Sequence, residues 1–311
     1  MTDGTLRTLL DASTPDKAKV DAYLTDTYVL ETVEQAERLG IDPGAFAREH
    51  SLLLLKPDAI VARAVEPTLM WLADNDFQVV DARRVVVDRH VARALWYFAW
   101  NIASPERRRL ADLLVGISDV LVLVVRGPVD DLPTPVRLTA AKGATDPRKR
   151  QPGELRYLLG RHNYLLNLVH SPDDPADVLR ELAIYFDEAT RAQVLARALE
   201  VRDRTDTAAA LARDLYDDAP ARSFERDDAV ARLCAELDSE AMKSLDRRMS
   251  TAEPGSDAAQ AALLDVAWAT GRELDPWSLI VLGSHLLPMR TGTGSQTLRP
   301  VSATDWLEAR P

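Results

Sequence analysis

The sequence predicts an α/β sandwich of about 135 residues, a normal domain size, flanked by helical segments in a chain of 311 residues. Three observations carry that prediction. Short apolar or β-branched runs, SLLLL at 51–55, FQVVDARRVVV at 77–87, VLVLVV at 120–125 and LLNLV at 165–169, alternate with segments of helical periodicity. Hydrophobic residues make up 46% of the chain, enough for a sizeable core, and charged residues 28%, as in soluble proteins. Gly, Pro and Asp punctuate the boundaries between runs.

Residues 1–50 read as helical. DKAKVDAYLTDTYVLETVEQAERLG has spaced apolar residues and stops at Gly40. The 51–55 strand ends at Lys56-Pro57-Asp58, because Pro57 has no N–H to give a ladder. EPTLMWLADN at 66–75 reads as a helix with Pro67 in its first turn, and 77–87 as a strand. Residues 90–117 are helical, broken near Ser104-Pro105, and VLVLVVRG at 120–127 has the unbroken apolar character of a central strand. A short helix is expected over 133–142. A loop is expected over GATDPRKRQPGELRYLLGRHNY at 143–164, which holds three glycines and two prolines. LLNLV at 165–169 is the next strand, and His170 follows it. DDPADVLRELAIYF then opens a helix with Asp173 and Asp174 at its positive end. Helical spacing continues over 188–250 and 258–287, with a turn or linker at 251–257 and a loop-like tail. The expected organisation is a helical N-terminal extension (1–50), the sandwich domain (51–188) and a mainly helical C-terminal extension (189–311).

Charge and cysteine content exclude several classes. The net charge of −11 disfavours general nucleic-acid binding, since phosphates are repelled on average. The single cysteine, Cys234, excludes an internal disulfide and a multi-cysteine zinc site. The start, MTDGTLRTLLDAST, has no apolar stretch of signal-peptide length, and VLVLVV is far too short to cross a bilayer. A soluble cytoplasmic protein is expected, with neither nucleic acid nor membrane as partner.

The chemistry concentrates in two places. Residues 142–161 hold Lys142, Arg148, Lys149, Arg150, Arg156 and Arg161 against only Asp146 and Glu154. Such a loop can converge several cations on one anion, although on charge alone a solvated basic loop is the commoner meaning. Lys56 and His170 each follow a strand, a normal place for a site if the strands are neighbours. Glu181 lies eleven residues beyond His170, about three helical turns. A carboxylate there can accept from one ring nitrogen, fix the tautomer and free the other nitrogen as a nucleophile.

Five segments then carry a family resemblance in order: Lys56-Pro57-Asp58, Gly143-Ala144-Thr145-Asp146-Pro147, Pro152-Gly153-Glu154-Leu155-Arg156, Asn167-Leu168-Val169-His170-Ser171-Pro172-Asp173, and Glu181 with Tyr185-Phe186. They resemble the K-P-D, G-x-T-[ND]-P, P-G-[ST]-[IL]-R, N-x-[IV]-H-[GA]-S-D and E-x-x-x-[WY]-F motifs of nucleoside diphosphate kinases. The chain is identified as a divergent member with N- and C-terminal extensions; the resemblance covers under half of it. It implies an α+β fold, the ferredoxin-like βαββαβ sandwich with an antiparallel sheet. It also implies ping-pong transfer of the γ-phosphate of ATP or another nucleoside triphosphate through a histidine to a diphosphate. Magnesium would arrive with the nucleotide phosphates and need no protein ligand set.

Carried over residue by residue, the resemblance makes His170 the phosphohistidine, Glu181 its orienting partner and Lys56 a stabiliser of the transferring group. Arg156 and Thr145 would hold phosphates, and Asn167 the sugar hydroxyl. Arg137 is the candidate for a further phosphate-binding arginine, with Lys142 competing. Three departures stand out. Ala103–Leu114, ASPERRRLADLL, has no aromatic residue where the family stacks the base; Trp96, Tyr97, Phe98 and Trp100 are the local alternatives, and Arg107, Arg108 and Arg109 could meet phosphates or a partner instead. Pro172 replaces a serine and Glu154 a small hydroxyl residue. A changed acceptor or weaker activity follows from these, and the alternative is a nucleotide-binding or interaction module without catalysis. Family members assemble as homo-oligomers, a packing the extensions could remodel. His50, His90 and His162 read as structural or surface residues, His285 as packing. Thr291-Gly292-Thr293-Gly294-Ser295 lacks the G-K-[ST] ending of a phosphate loop.

Overall fold

Apolar residues alternate along a four-stranded antiparallel sheet so that each face receives its own set. The strands are β1 (His50–Leu55), β2 (Gln78–Val85), β3 (Val120–Arg126) and β4 (Val169–His170), in the order β2-β3-β1-β4. This is the ferredoxin-like α+β sheet that the resemblance implied. The computed structural model describes residues 3–128, 131–160, 163–249, 253 and 255–309. Arg161 and His162 lie outside the described residues, as does part of the 251–257 turn. The unbroken run of β3 is central, paired from His50↔Arg126 to Leu55↔Leu121 on one side and with β2 on the other.

Helices α1 (Asp3–Ser13), α2 (Lys17–Tyr23), α3 (Thr27–Arg38) and α4 (Pro43–Glu49) precede β1. α5 (Pro57–Val61) and α6 (Val65–Asp74) lead to β2; α7 (Arg89–Leu95), a 3-10 turn (Tyr97–Ile102) and α8 (Pro105–Val115) lead to β3. α9 (Thr134–Lys142) and α10 (Leu155–Leu158) come before β4, and α11 (Pro175–Tyr185) follows it. The C-terminal part holds α12 (Glu188–Leu199), α13 (Thr205–Asp218), α14 (Arg226–Glu236), α15 (Ser239–Met249), α16 (Asp257–Ala269), α17 (Pro276–Leu286) and α18 (Ala303–Glu308).

The extensions cover opposite faces of the sheet. Leu52, Leu54, Val80, Val122 and Val124 pack with Leu6, Leu10, Val29 and Val33 of the N-terminal helices and with α11. Leu53, Leu55, Leu121, Leu123 and Val125 lie in a cluster with α6, α8 and residues of α13, α14, α16 and α17. Each such side chain contributes about 1.5–3 kcal/mol when fully buried, so both extensions share cores with the sheet. A buried ionic knot also ties the N-terminal part to α11. Lys19 Nζ donates to Asp174 and Asp177, each at 2.8 Å, and the Tyr23 hydroxyl donates to Asp177 at 2.5 Å. Burial opposes the Lys19 charge, but Asp174, Asp177 and Asp173 outweigh it and hold its pKa above the ordinary lysine range.

Three local expectations are corrected. The helical stretch ending at Gly40 is two helices, because Asp26 breaks in as the N-cap of α3, accepting from the Tyr28 and Val29 N–H groups. The expected strand over 165–169 is reduced to Val169–His170, and His170 lies inside it, opposite Leu54. Side chains take the backbone groups that a longer ladder would have used. Asn163 Oδ1 accepts from the Leu165 and Leu166 N–H groups, and Asp58 accepts from the Leu168 N–H. The tail carries one short helix, α18, closed by a Ser302–Asp305 capping box.

Candidate active site

The site assembles where β1 ends beside β4. Pairing of Leu54 with His170 and Leu55 with Val169 brings Lys56 to the segment that carries the histidine. His170 Nε2 lies 2.9 Å from Glu181 Oε1, across the start of α11. The carboxylate therefore fixes Nε2–H as the donor and leaves Nδ1 with its lone pair. The His170 side chain remains 21% exposed while Glu181 is buried, so the ring is reachable and its partner is not. Trp96 sets its ring edge-on to His170 at 5.5 Å between centroids.

Lys56 is buried, donates from Nζ to Leu165 O at 2.8 Å and stands 3.4 Å from Asp58 Oδ2. Burial pulls its pKa down; the Asp58 carboxylate counters in part. Arg156, buried on α10, donates through Nη1 to Gly143 O (3.0 Å) and Thr145 Oγ1 (3.1 Å), and through Nη2 to Val169 O (2.7 Å). Burial lowers its pKa to about 10, with Arg150 adding to the effect. Gly143 has φ +89°, and an added Cβ would sit 2.2 Å from Glu154 Oε2, so only glycine fits the loop where Glu154 has replaced a small residue. Asn167 donates to Tyr164 O at 3.0 Å. Lys56, Thr145, Arg156, Asn167, His170 and Glu181 thus lie along one connected set of contacts. Arg137 stands half-buried on α9, about one and a half turns before Lys142.

Lys142, also on α9, reaches the histidine segment. Its Nζ donates to Ser171 Oγ at 2.7 Å, and Thr139 Oγ1 donates to Pro172 O at 2.8 Å. The Ser171 hydroxyl, 2.8 Å from Thr139 Oγ1, completes the relay by donating to it. Burial, aided by Arg156, brings the Lys142 pKa down to about 7 from 10.5. An unfolded lysine keeps its proton up to 10.5, so between pH 7 and 10.5 the unfolded chain binds more protons and stability rises with pH. Lys142→Met is expected to stabilise the fold at pH 6–7 by on the order of 1–3 kcal/mol. The advantage should fade as pH approaches 10.5. Urea unfolding at several pH values checks this; a stabilisation that does not change with pH would contradict it.

Several residues that matter were given no role by the motifs. Asp58 lies within K-P-D, and its signal is an acid two residues after the strand-end lysine. Ser171 replaces a small residue directly after the histidine. Asn163, Tyr164 and Thr139 carry no recognisable signal, because each also has a partner distant in sequence: Ser284, Arg107 and the 171–172 segment respectively. Of the aromatic alternatives, Trp96 meets His170, whereas Trp100 donates to Ala92 O and packs under Arg93, and Phe98 packs near Tyr23 and Tyr97. Arg107 stacks over Tyr164 at 5.2 Å and Arg109 over Trp268 at 4.4 Å. Buried His50 has its Nδ1 3.0 Å from Phe46 O and stacks on that ring, in line with a structural place.

Residues 49–190 match the family model described as nucleoside diphosphate kinase. A nucleoside diphosphate kinase of Thermococcus kodakarensis is 30% identical over 140 residues, which cover 44% of this chain and 76% of that protein. One from Roseiflexus sp. (strain RS-1) is 30% identical over 145 residues, covering 44% of this chain and 87% of that protein. Among solved structures, the Aquifex aeolicus enzyme superposes with a TM-score of 0.38 and 22% identity, over 45% of this chain and 95% of that one. With relatives 30% identical matched over most of their length, the chain belongs to the nucleoside diphosphate kinase family, as a member carrying long segments on both sides of the shared region.

Proposed function

We propose that this protein is an active phosphotransferase. It moves the γ-phosphate of ATP or another nucleoside triphosphate through a phosphohistidine on His170 to a nucleoside diphosphate or a related phosphorylated acceptor. The observation that carries this is the 2.9 Å contact between His170 Nε2 and buried Glu181, which leaves Nδ1 as the free nucleophile on a partly exposed ring. Nδ1 attacks the γ-phosphorus, the bond to the β–γ bridging oxygen breaks, and the nucleoside diphosphate leaves with the electron pair. A terminal phosphate oxygen of the acceptor then attacks the phosphohistidine and restores the neutral ring. Glu181 steadies the imidazole as charge develops on it, while Lys56 and Arg156 offset charge on the phosphoryl oxygens. Thr145 and Asn167 are assigned to the phosphates and the sugar hydroxyl, and Arg137 to an outer phosphate.

Among the described residues no group of three His, Cys, Asp or Glu side chains is placed to hold a metal. Magnesium is assigned to the substrate, as the nucleotide–Mg2+ complex. No helix among the described residues is long and apolar enough to cross a membrane. We place the activity in the cytoplasm, where nucleoside triphosphates are supplied. The coverage of both sheet faces by the extensions supports a self-assembly unlike that of shorter family members.

Incubation of the intact protein with ATP and Mg2+ tests the proposal by mass. A phosphate-sized, acid-labile gain that a nucleoside diphosphate discharges is expected. A folded protein that binds nucleotide yet never gains phosphate would leave the alternative, a binding module on the same fold.

A further inference from the structure

The C-terminal extension reaches the part of the family segment next to the histidine. Ala103 and Arg290 form an antiparallel bridge, the Thr291 N–H donates to Ile102 O at 2.9 Å, and the Thr297 N–H donates to Phe98 O at 2.9 Å. Asn101 Nδ2 donates to Ser295 O at 2.9 Å, so residues 290–297 lie along the 3-10 turn at 97–102. Ser104 joins the two segments at the start of α8. Its hydroxyl donates to Pro288 O at 2.6 Å and accepts from the Arg107 N–H at 2.9 Å. Arg107 in turn stacks on Tyr164, whose neighbour Leu165 accepts from Lys56 Nζ. Deeper in, Ser284 of α17 accepts from Asn163 Nδ2 at 2.8 Å, and Asn163 is the residue that shapes the 165–166 turn. Gly283 lies so close to α8 that an added Cβ would meet Leu110 at 2.8 Å.

Two guanidinium groups therefore stand on converging segments: that of Arg107 bears on the Lys56 charge, and that of Arg290 on Arg107. Arg107 has an Nη1 that is buried without a hydrogen-bond partner, and among the described residues neither Arg107 nor Arg290 forms an ion pair. This occurs in a chain with 49 acids against 38 bases. Adjacent cations left without a carboxylate are a site for an anion. Burial lowers the Arg107 pKa and the Arg290 charge adds to the effect, while Tyr164 opposes it; Arg290 Nη2 itself donates to Gly294 O at 2.9 Å, which leaves its charge without a carboxylate.

We propose that the C-terminal extension completes the nucleotide site, with Arg290 joining Arg107 in an anion subsite that takes the phosphates adjoining the one transferred. The inference rests on the nucleotide phosphotransfer reading above and adds to it a residue from outside the family segment. Its ligand is the polyphosphate chain of a nucleoside di- or triphosphate, since that is the polyanion which places a reacting phosphate at His170.

Calorimetric titration of the full-length protein with ADP, inorganic pyrophosphate and adenosine tests it, with Mg2+ present throughout. Arg290→Ala is expected to weaken ADP and pyrophosphate by about tenfold or more, the scale of one lost charge-assisted contact. Adenosine binding should stay unchanged, and Arg290→Lys should recover part of the loss. Arg299→Ala is the control, because that guanidinium already pairs with Asp305 at 2.8 Å. Arg290 is exposed, so its replacement leaves the fold intact. Wild-type binding of ADP with an Arg290→Ala variant inside twofold of it overturns this inference alone. So does a loss of ADP affinity without loss of pyrophosphate affinity. Failure of the wild type to bind ADP at all would remove the phosphotransfer reading and this inference with it.

Discussion

His170→Ala is expected to abolish phosphoryl uptake from ATP and to lower nucleotide-dependent turnover by at least about 10⁴-fold, the scale on which loss of a covalent nucleophile acts. The fold should survive, because the ring lies partly exposed on a two-residue strand and its main partner is one carboxylate. Glu181→Gln should have an intermediate effect. The amide keeps the shape and can still accept from Nε2–H, but it no longer offsets the charge that develops on the ring. Intact mass and steady-state turnover read the first variant, and phosphoenzyme formation rates read the second. Turnover by His170→Ala at the wild-type level would mean that phosphate travels by another route.

Asp58→Ala is expected to destabilise the protein by about 3–5 kcal/mol, the cost of removing one partner from a buried charge pair. Asp58 is fully buried, and its Oδ2 accepts the Leu168 N–H at 2.9 Å while standing 3.4 Å from Lys56 Nζ. Leu168 has φ +66°, a left-handed conformation that costs a non-glycine residue about 1–2 kcal/mol. The Asp58 carboxylate thus holds a strained residue between Asn167 and Val169, and it counters the burial that opposes the Lys56 charge. Loss of Asp58 should lower the Lys56 pKa further, so any activity the variant retains should fall as pH rises at a lower pH than in wild type. Urea unfolding measures the first effect and a pH–rate profile the second. A variant of wild-type stability would show that the pair contributes little to holding the turn.

The sheet was legible because its strands carry their own signals. The apolar run of β3 marked a central strand, and Pro57 marked the end of β1. The contact of His170 with its carboxylate was legible for a similar reason: eleven residues of a single strand-to-helix connection bring Glu181 to His170. The strand expected over 165–169 was not, since apolar content cannot show that Asn163, Asp58 and Lys56 side chains will claim its backbone groups. Lys142 shows the same limit. Sequence placed it among loop cations, and only packing against Ser171 showed it buried, with a pKa near neutrality.

Residue order was sufficient for the family, the fold class and the contact between His170 and Glu181. Those features depend on local periodicity, on proline and glycine, and on motifs confined to one stretch of chain. The fold alone decided that the N- and C-terminal segments cover opposite faces of the sheet. It alone brought Asp58 under Leu168 and Arg290 beside the turn that leads to Arg107. These placements join residues 100 or more positions apart, such as Asp58 with Leu168 and Asn163 with Ser284. Such pairs form because burying both sheet faces brings them together, and no local pattern encodes which partner will arrive.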